Sequence, residues 1–196
     1  YIENFDDASA DTKKFCWTIN NANLDGAKWV MNADSPSIQP ITSWFNPTSG
    51  YDDYLISPAI NAVGTKVVKF DYRAAYSMQA PTSRFGFEVL ISTTDTQPSS
   101  FTVLAPLMEF TNTDFEQKSV YFQGNGVVYI ALRVPPEYSL AGGSSILQID
   151  NFSITDAPNC PNPTNLNADN ILQNQAELTW VTGFQETAWN VVVQTA

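Results

Sequence analysis

The chain of 196 residues contains no histidine and only two cysteines, Cys16 and Cys160. Without histidine there is no Ser-His-Asp or Cys-His activation of a nucleophile and no His-based zinc site. Two cysteines so far apart form no metal knuckle. They form either one long-range disulfide or two separate thiols, and composition does not choose between these. A phosphate-cradling loop is also missing, because Gly142-Gly143-Ser144-Ser145 lacks a lysine and a strand-to-helix setting. Basic residues are scarce: 9 against 20 acidic ones give a net charge of -11. A nucleic-acid binder needs a basic footprint to displace counterions from phosphates, so that class is set aside. The same sign disfavours anionic membrane surfaces. No run of about 18 apolar residues is present, so neither a membrane-spanning helix nor membrane insertion is expected. The chain opens at Tyr1 without a signal peptide, as expected of a mature or excised segment.

What is present reads as β-structure. Hydrophobic residues make up 43%, aromatics 13% and charged residues only 15%, the opposite of the balance in disordered chains. Apolar side chains recur with period two in Val68–Arg73, in Arg84–Ile91 (Phe85, Phe87, Val89, Ile91) and in Val127–Val134 (Val128, Ile130, Leu132, Val134). Successive strand side chains face opposite ways, so each segment predicts a strand with one buried face. Asn61–Gly64, Gln97–Ser100 and Gly124-Asn125-Gly126 predict turns between strands, the last as a tight hairpin. No stretch of ten or more residues carries a helical stripe. The pattern predicts an all-β, antiparallel jelly-roll sandwich.

The composition shifts at residues 157–163, where three prolines favour an extended linker. Beyond it, Thr164–Asn167, Ala176–Val181 and Trp189–Val193 predict three strands, too few to close a sandwich of about seven. The expected organisation is a first domain over 1–156, a linker over 157–163 and a partial second sandwich over 164–196.

Several strings taken in order carry a family resemblance. These are Ile2-Glu-Asn-Phe-Asp6, Cys16-Trp-Thr-Ile19 followed by Trp29, Asp52-Asp-Tyr-Leu-Ile-Ser-Pro58, Ile91–Pro98 with Phe101–Leu104, Val128–Arg133, and Leu147-Gln-Ile-Asp-Asn-Phe-Ser-Ile154. Together they resemble the choice-of-anchor J and cleaved-adhesin family, which is similar to MAM domains. The family has a jelly-roll fold and occurs in secreted and surface proteins of Bacteroidetes-type bacteria, including gingipains. The tail, with Leu178-Thr-Trp180, resembles the start of a fibronectin type III domain. The resemblance implies a non-catalytic, extracellular adhesion or carbohydrate-binding module beside other domains of a larger chain. Its partner would be a glycan or a host protein. It also implies a possible inter-domain staple between Cys16 and Cys160.

Two site types follow. Flat rings stack on sugar faces, and Trp44, Phe45, Tyr51, Tyr76 and Tyr138 lie in or beside loop-like segments. They are the candidate ligand-binding residues. Trp17, Trp29 and Trp180 are expected in cores. Excess carboxylate suits calcium. Asn21-Ala-Asn23-Leu-Asp25-Gly26 has the spacing of a calcium loop, with an ion-free Asx turn as its alternative. In jelly rolls of the resembled kind a structural Ca²⁺ ties the first strand to the last, which here implicates Asp6 and Asp150 with Asp25 or Asp7 nearby. Asp150, between Ile149 and Phe152, needs a partner to offset its desolvation. Two other readings stand beside the binding module: a structural accessory domain next to a catalytic domain, and a hydrolase using paired carboxylates. Against the latter, adjacent Asp52 and Asp53 on an extended strand point to opposite faces.

Overall fold

The structure is a computed structural model that describes residues 1–6, 16–24, 28–32, 37–41, 51–74, 85–136 and 147–192. The described strands are β1 (Ile2–Glu3), β2 (Thr18–Asn21), β3 (Lys28–Asn32), β4 (Ser37–Ile41), β5 (Asp53–Ile56), β6 (Ile60–Ala74), β7 (Phe85–Ser92), β8 (Thr102–Phe110), β9 (Glu116–Val134), β10 (Leu147–Asp156), β11 (Thr164–Asp169) and β12 (Glu177–Val181). The chain divides into two compact units, Tyr1–Asp156 and Ala157–Ala196.

The first unit is a jelly-roll β-sandwich, all of it antiparallel. One sheet runs β9–β6–β10–β4–β3, with β1 also on β10; the other runs β2–β5–β9–β7–β8. Strand β9 belongs to both. Its residues from Glu116 to Val128 pair with β6, and those from Tyr129 onward pair with β5 and β7. The period-two pattern places the core between the sheets. Phe70 and Tyr72 of β6, Phe87 and Val89 of β7, Val128, Ile130 and Leu132 of β9, and Ile149 and Phe152 of β10 belong to a single buried cluster with Trp17 and Trp29. Rings dominate it: Phe70, Tyr72, Phe87 and Phe110 meet edge-on at 5.5–6.5 Å, the geometry that aromatic quadrupoles favour.

Two expected turns are not turns. Asn61–Gly64 and Gly124–Gly126 lie inside β6 and β9, whose register continues unbroken from Ile60↔Val128 to Tyr72↔Glu116. The glycines serve close approach instead. A Cβ on Gly124 would stand 2.5 Å from the Ala62 carbonyl oxygen, and Gly64 opposite it takes φ +80. The Gln97–Ser100 turn does form, as a single 3-10 turn over Pro98–Ser100.

In the second unit β11 and β12 form a two-stranded sheet. Of the expected third strand, the described residues 189–192 carry no strand, and Val193 lies outside the described residues. Trp180 is half-buried, with its ring edge-on to Trp189 at 5.5 Å.

Candidate functional site

The outer face of the second sheet carries a second apolar cluster, separate from the core: Tyr54, Ile56, Leu90 and Ala131, with Phe101 and Tyr129 packed against it. Strand register explains its composition. One row across the sheet reads Thr18, Ile56, Ala131, Leu90, and the next reads Asn20, Tyr54, Arg133, Glu88. An apolar row thus lies beside a polar one, each drawn from alternate residues of the same strands.

Arg133 is the centre of the polar row. Its Nε donates to Asp52 Oδ1 at 2.8 Å and its Nη1 to Glu88 Oε2 at 3.1 Å. Its guanidinium carbon lies 5.4 Å from the Tyr54 ring centroid, within cation–π range. The three charged side chains are 16–24% exposed, so they are fixed yet reachable from solvent. Burial works against the Arg133 charge, but the hydrogen bonds to Asp52 and Glu88 outweigh it and hold its pKa above the usual value. Burial raises the Tyr54 phenol pKa; Arg133 opposes that rise, and Asp52 and Glu88 add to it.

Phe101 reaches this face through a loop wired to itself. Ser92 Oγ accepts the Thr94 and Asp95 amides, and Asp95 Oδ1 accepts the Gln97 amide at 2.9 Å. A hydrogen bond from Ser100, then that from Gln97, lowers the Asp95 carboxyl pKa. The 3-10 turn follows, the Phe101 amide donates to Pro98 O, and the Phe101 ring stands 6.3 Å from that of Tyr54.

Of the residues picked from sequence as ligand contacts, Tyr51 is a core residue, 1% exposed. It belongs to the main aromatic cluster because it enters β5 on the inward side. Trp44, Phe45, Tyr76 and Tyr138 lie outside the described residues. Asp52 and Asp53 face opposite ways, as strand alternation requires: Asp52 binds Arg133 and Asp53 is fully buried. Cys16, in the first unit, and Cys160, in the second, are each exposed free thiols.

The residues implicated in calcium binding are only partly brought together. Asp6 is exposed near the end of β1, and Asp150 lies half-buried on β10, directly opposite Asp71 of β6. Burial raises the Asp150 carboxyl pKa. The Asn151 amide opposes this, and the charges of Asp6 and Asp71 reinforce it. Asn23 spends its side-chain amide on the Tyr51 carbonyl at 3.3 Å, and Asp25 lies outside the described residues. Among the described residues no three acidic, cysteine or histidine side chains converge to hold a metal ion.

Sequence reasoning missed Arg133, Glu88 and Tyr129 because it sought ligand contacts in loops. The available signal was the polar phase of the strands: Glu88 and Arg133 are charges set among otherwise apolar residues.

No family model and no curated protein matches the sequence. Solved structures do match. The K3 cleaved adhesin domain of Lys-gingipain from Porphyromonas gingivalis superposes with TM-score 0.56 at 20% identity, over 72% of this chain and 91% of that one. The K1 domain gives 0.56 at 19%, over 81% and 98%. The K2 domain gives 0.54 at 20%, over 79% and 98%. At this identity the likeness is one of fold.

Proposed function

We propose that this chain is a non-catalytic binding module of an extracellular protein, and that it contacts glycan through the outer face of the β2–β5–β9–β7–β8 sheet. The observation that supports this reading is the Arg133 bridge on the same sheet face as the apolar cluster against which Phe101 and Tyr129 pack. Sugar recognition needs an apolar ring surface next to polar groups fixed in place, because fixed groups lose little entropy on binding. The face supplies both. The carboxylates of Asp52 and Glu88 are each spent on the same guanidinium, which suits static hydrogen bonding rather than proton transfer. The fold shared with cleaved adhesin domains agrees with this reading.

A glycan array probed with the chain and with Arg133→Ala tests it. The expected result is retention of at least one glycan class by the unsubstituted chain, and a loss of roughly tenfold or more in the variant, as for truncation of a charged partner. Circular dichroism must show both proteins folded. Equal binding by the two proteins, or capture of an unglycosylated protein alone, would refute the assignment.

A further inference from the structure

We infer that this face selects neutral, hydroxyl-rich saccharides and rejects those bearing carboxylates; the inference rests on the glycan-binding reading above. Arg133 brings one positive charge, and Asp52 and Glu88 bring two negative ones, so the bridge carries a net formal charge of -1. A sugar carboxylate would have to approach a guanidinium already engaged through Nε and Nη1. It would also come to rest beside two like charges, a juxtaposition that costs affinity.

A hydroxyl meets the opposite situation. An ionised carboxylate has about four acceptor positions, and a guanidinium has five N–H donors. Each carboxylate here uses one oxygen on Arg133, and Arg133 uses two of its nitrogens. Neighbouring hydroxyls of one sugar can therefore donate to a carboxylate and accept from Arg133 together. Phe101, whose ring stands 6.3 Å from that of Tyr54, supplies ring surface on the same face, and Tyr129, four residues along β9 from Arg133, offers a second ring to an adjoining sugar. The net charge of the chain, -11, acts in the same direction at longer range by repelling polyanions.

The test is titration calorimetry of the 196-residue chain with matched pairs of oligosaccharides, galactose oligomers against galacturonate oligomers of equal length and mannose against mannuronate. The neutral member of a pair is expected to bind at least roughly tenfold more tightly. Its affinity should also change little between about 0.05 and 0.5 M salt, because no net charge is neutralised. Asp52→Asn combined with Glu88→Gln should narrow or reverse the preference. The salt dependence of the unsubstituted chain is a readout independent of the variant's stability. Tighter binding of uronates, or affinity that collapses with salt, would overturn the neutral-sugar inference while leaving the face as a glycan site. No binding to any member by folded protein would instead overturn the glycan reading itself.

Discussion

Asp150 illustrates how one residue type carries opposite consequences in different company. It faces Asp71 directly across the β6–β10 pair, and like charges so placed destabilise a sheet. The strand adapts around it. Asn151 takes φ 48, donates its amide to Asp150 Oδ1 at 2.7 Å and sends its side-chain amide to Asp71 Oδ2 at 2.8 Å. Because its pKa is raised, folded Asp150 keeps its proton to higher pH than the unfolded chain does, so its charging costs stability as pH rises through that range. Asp150→Asn keeps the Oδ1 acceptor and removes the charge. In EDTA it should raise the melting temperature by roughly 1–3 °C, the worth of one repulsive cross-strand pair. If millimolar calcium raises the melting temperature of the parent but not of the variant, Asp150 is a ligand of the ion that the family resemblance implies. If neither protein responds to calcium or EDTA, calcium has no part in the fold. Tyr72 gives a second pH dependence. Burial, then its hydrogen bond to Glu116 at 3.1 Å, pushes its phenol up to about 12. An unfolded tyrosine loses its proton near 10. Between these values the folded state binds more protons, so stability is complete below about pH 10 and falls toward pH 12. Alkaline melting should be shallower in Tyr72→Phe.

At the scale of elements, β9 decides the architecture, since one strand of 19 residues serves both sheets. Its buried positions were legible from period-two alternation: Val128, Ile130, Leu132 and Val134 are all buried. Its continuity was not, because a glycine that permits a turn and a glycine that permits close approach look the same in sequence. The partner decides between them, and Gly124 meets Ala62 only after β6 has folded against β9. The candidate site was hidden for a related reason. Arg133 and Glu88 lie 45 residues apart in sequence, and only the register of three strands brings them to Tyr54. The Asp52–Asp53 pair, by contrast, was legible, because alternation within one strand needs no partner. Gly124→Ala would drive a Cβ against the backbone oxygen of Ala62 and should cost about 2 kcal/mol, a fall of roughly 4–8 °C in melting temperature. Val127→Ala, three residues on and 50% exposed, should change stability by less than about 0.5 kcal/mol. Equal effects of the two substitutions would show that β9 is not pressed against β6 at Gly124.

At the scale of the whole chain, the two units differ in how each can be stable. The buried hydrophobic core among the described residues runs from Phe5 to Ile154, all of it in the first unit, whereas in the second unit Pro161 is the one described apolar residue that is buried. The last strand of that unit closes with an ion pair between Asp156 and Lys66 of β6, which lowers the pKa of the Asp156 carboxyl. The unit therefore ends in paired backbone. The second unit has one two-stranded sheet, and such a hairpin is at best marginally stable alone. Its apolar residues are largely wet: Leu166 is 74% exposed, Ile171 69%, Leu172 61% and Val181 54%. The edge-on rings of Trp180 and Trp189 make a packed contact between apolar side chains, worth about 0.5–1.5 kcal/mol beyond area burial. Ordering one residue's backbone costs about 1–2 kcal/mol, so this contact does not offset the ordering of the segment. Residues 1–156 produced alone should therefore unfold in a single cooperative transition. Residues 157–196 produced alone should show a featureless melt by circular dichroism and rapid amide exchange throughout. A cooperative transition in the isolated second segment would mean that its two strands and two tryptophans make a core of their own.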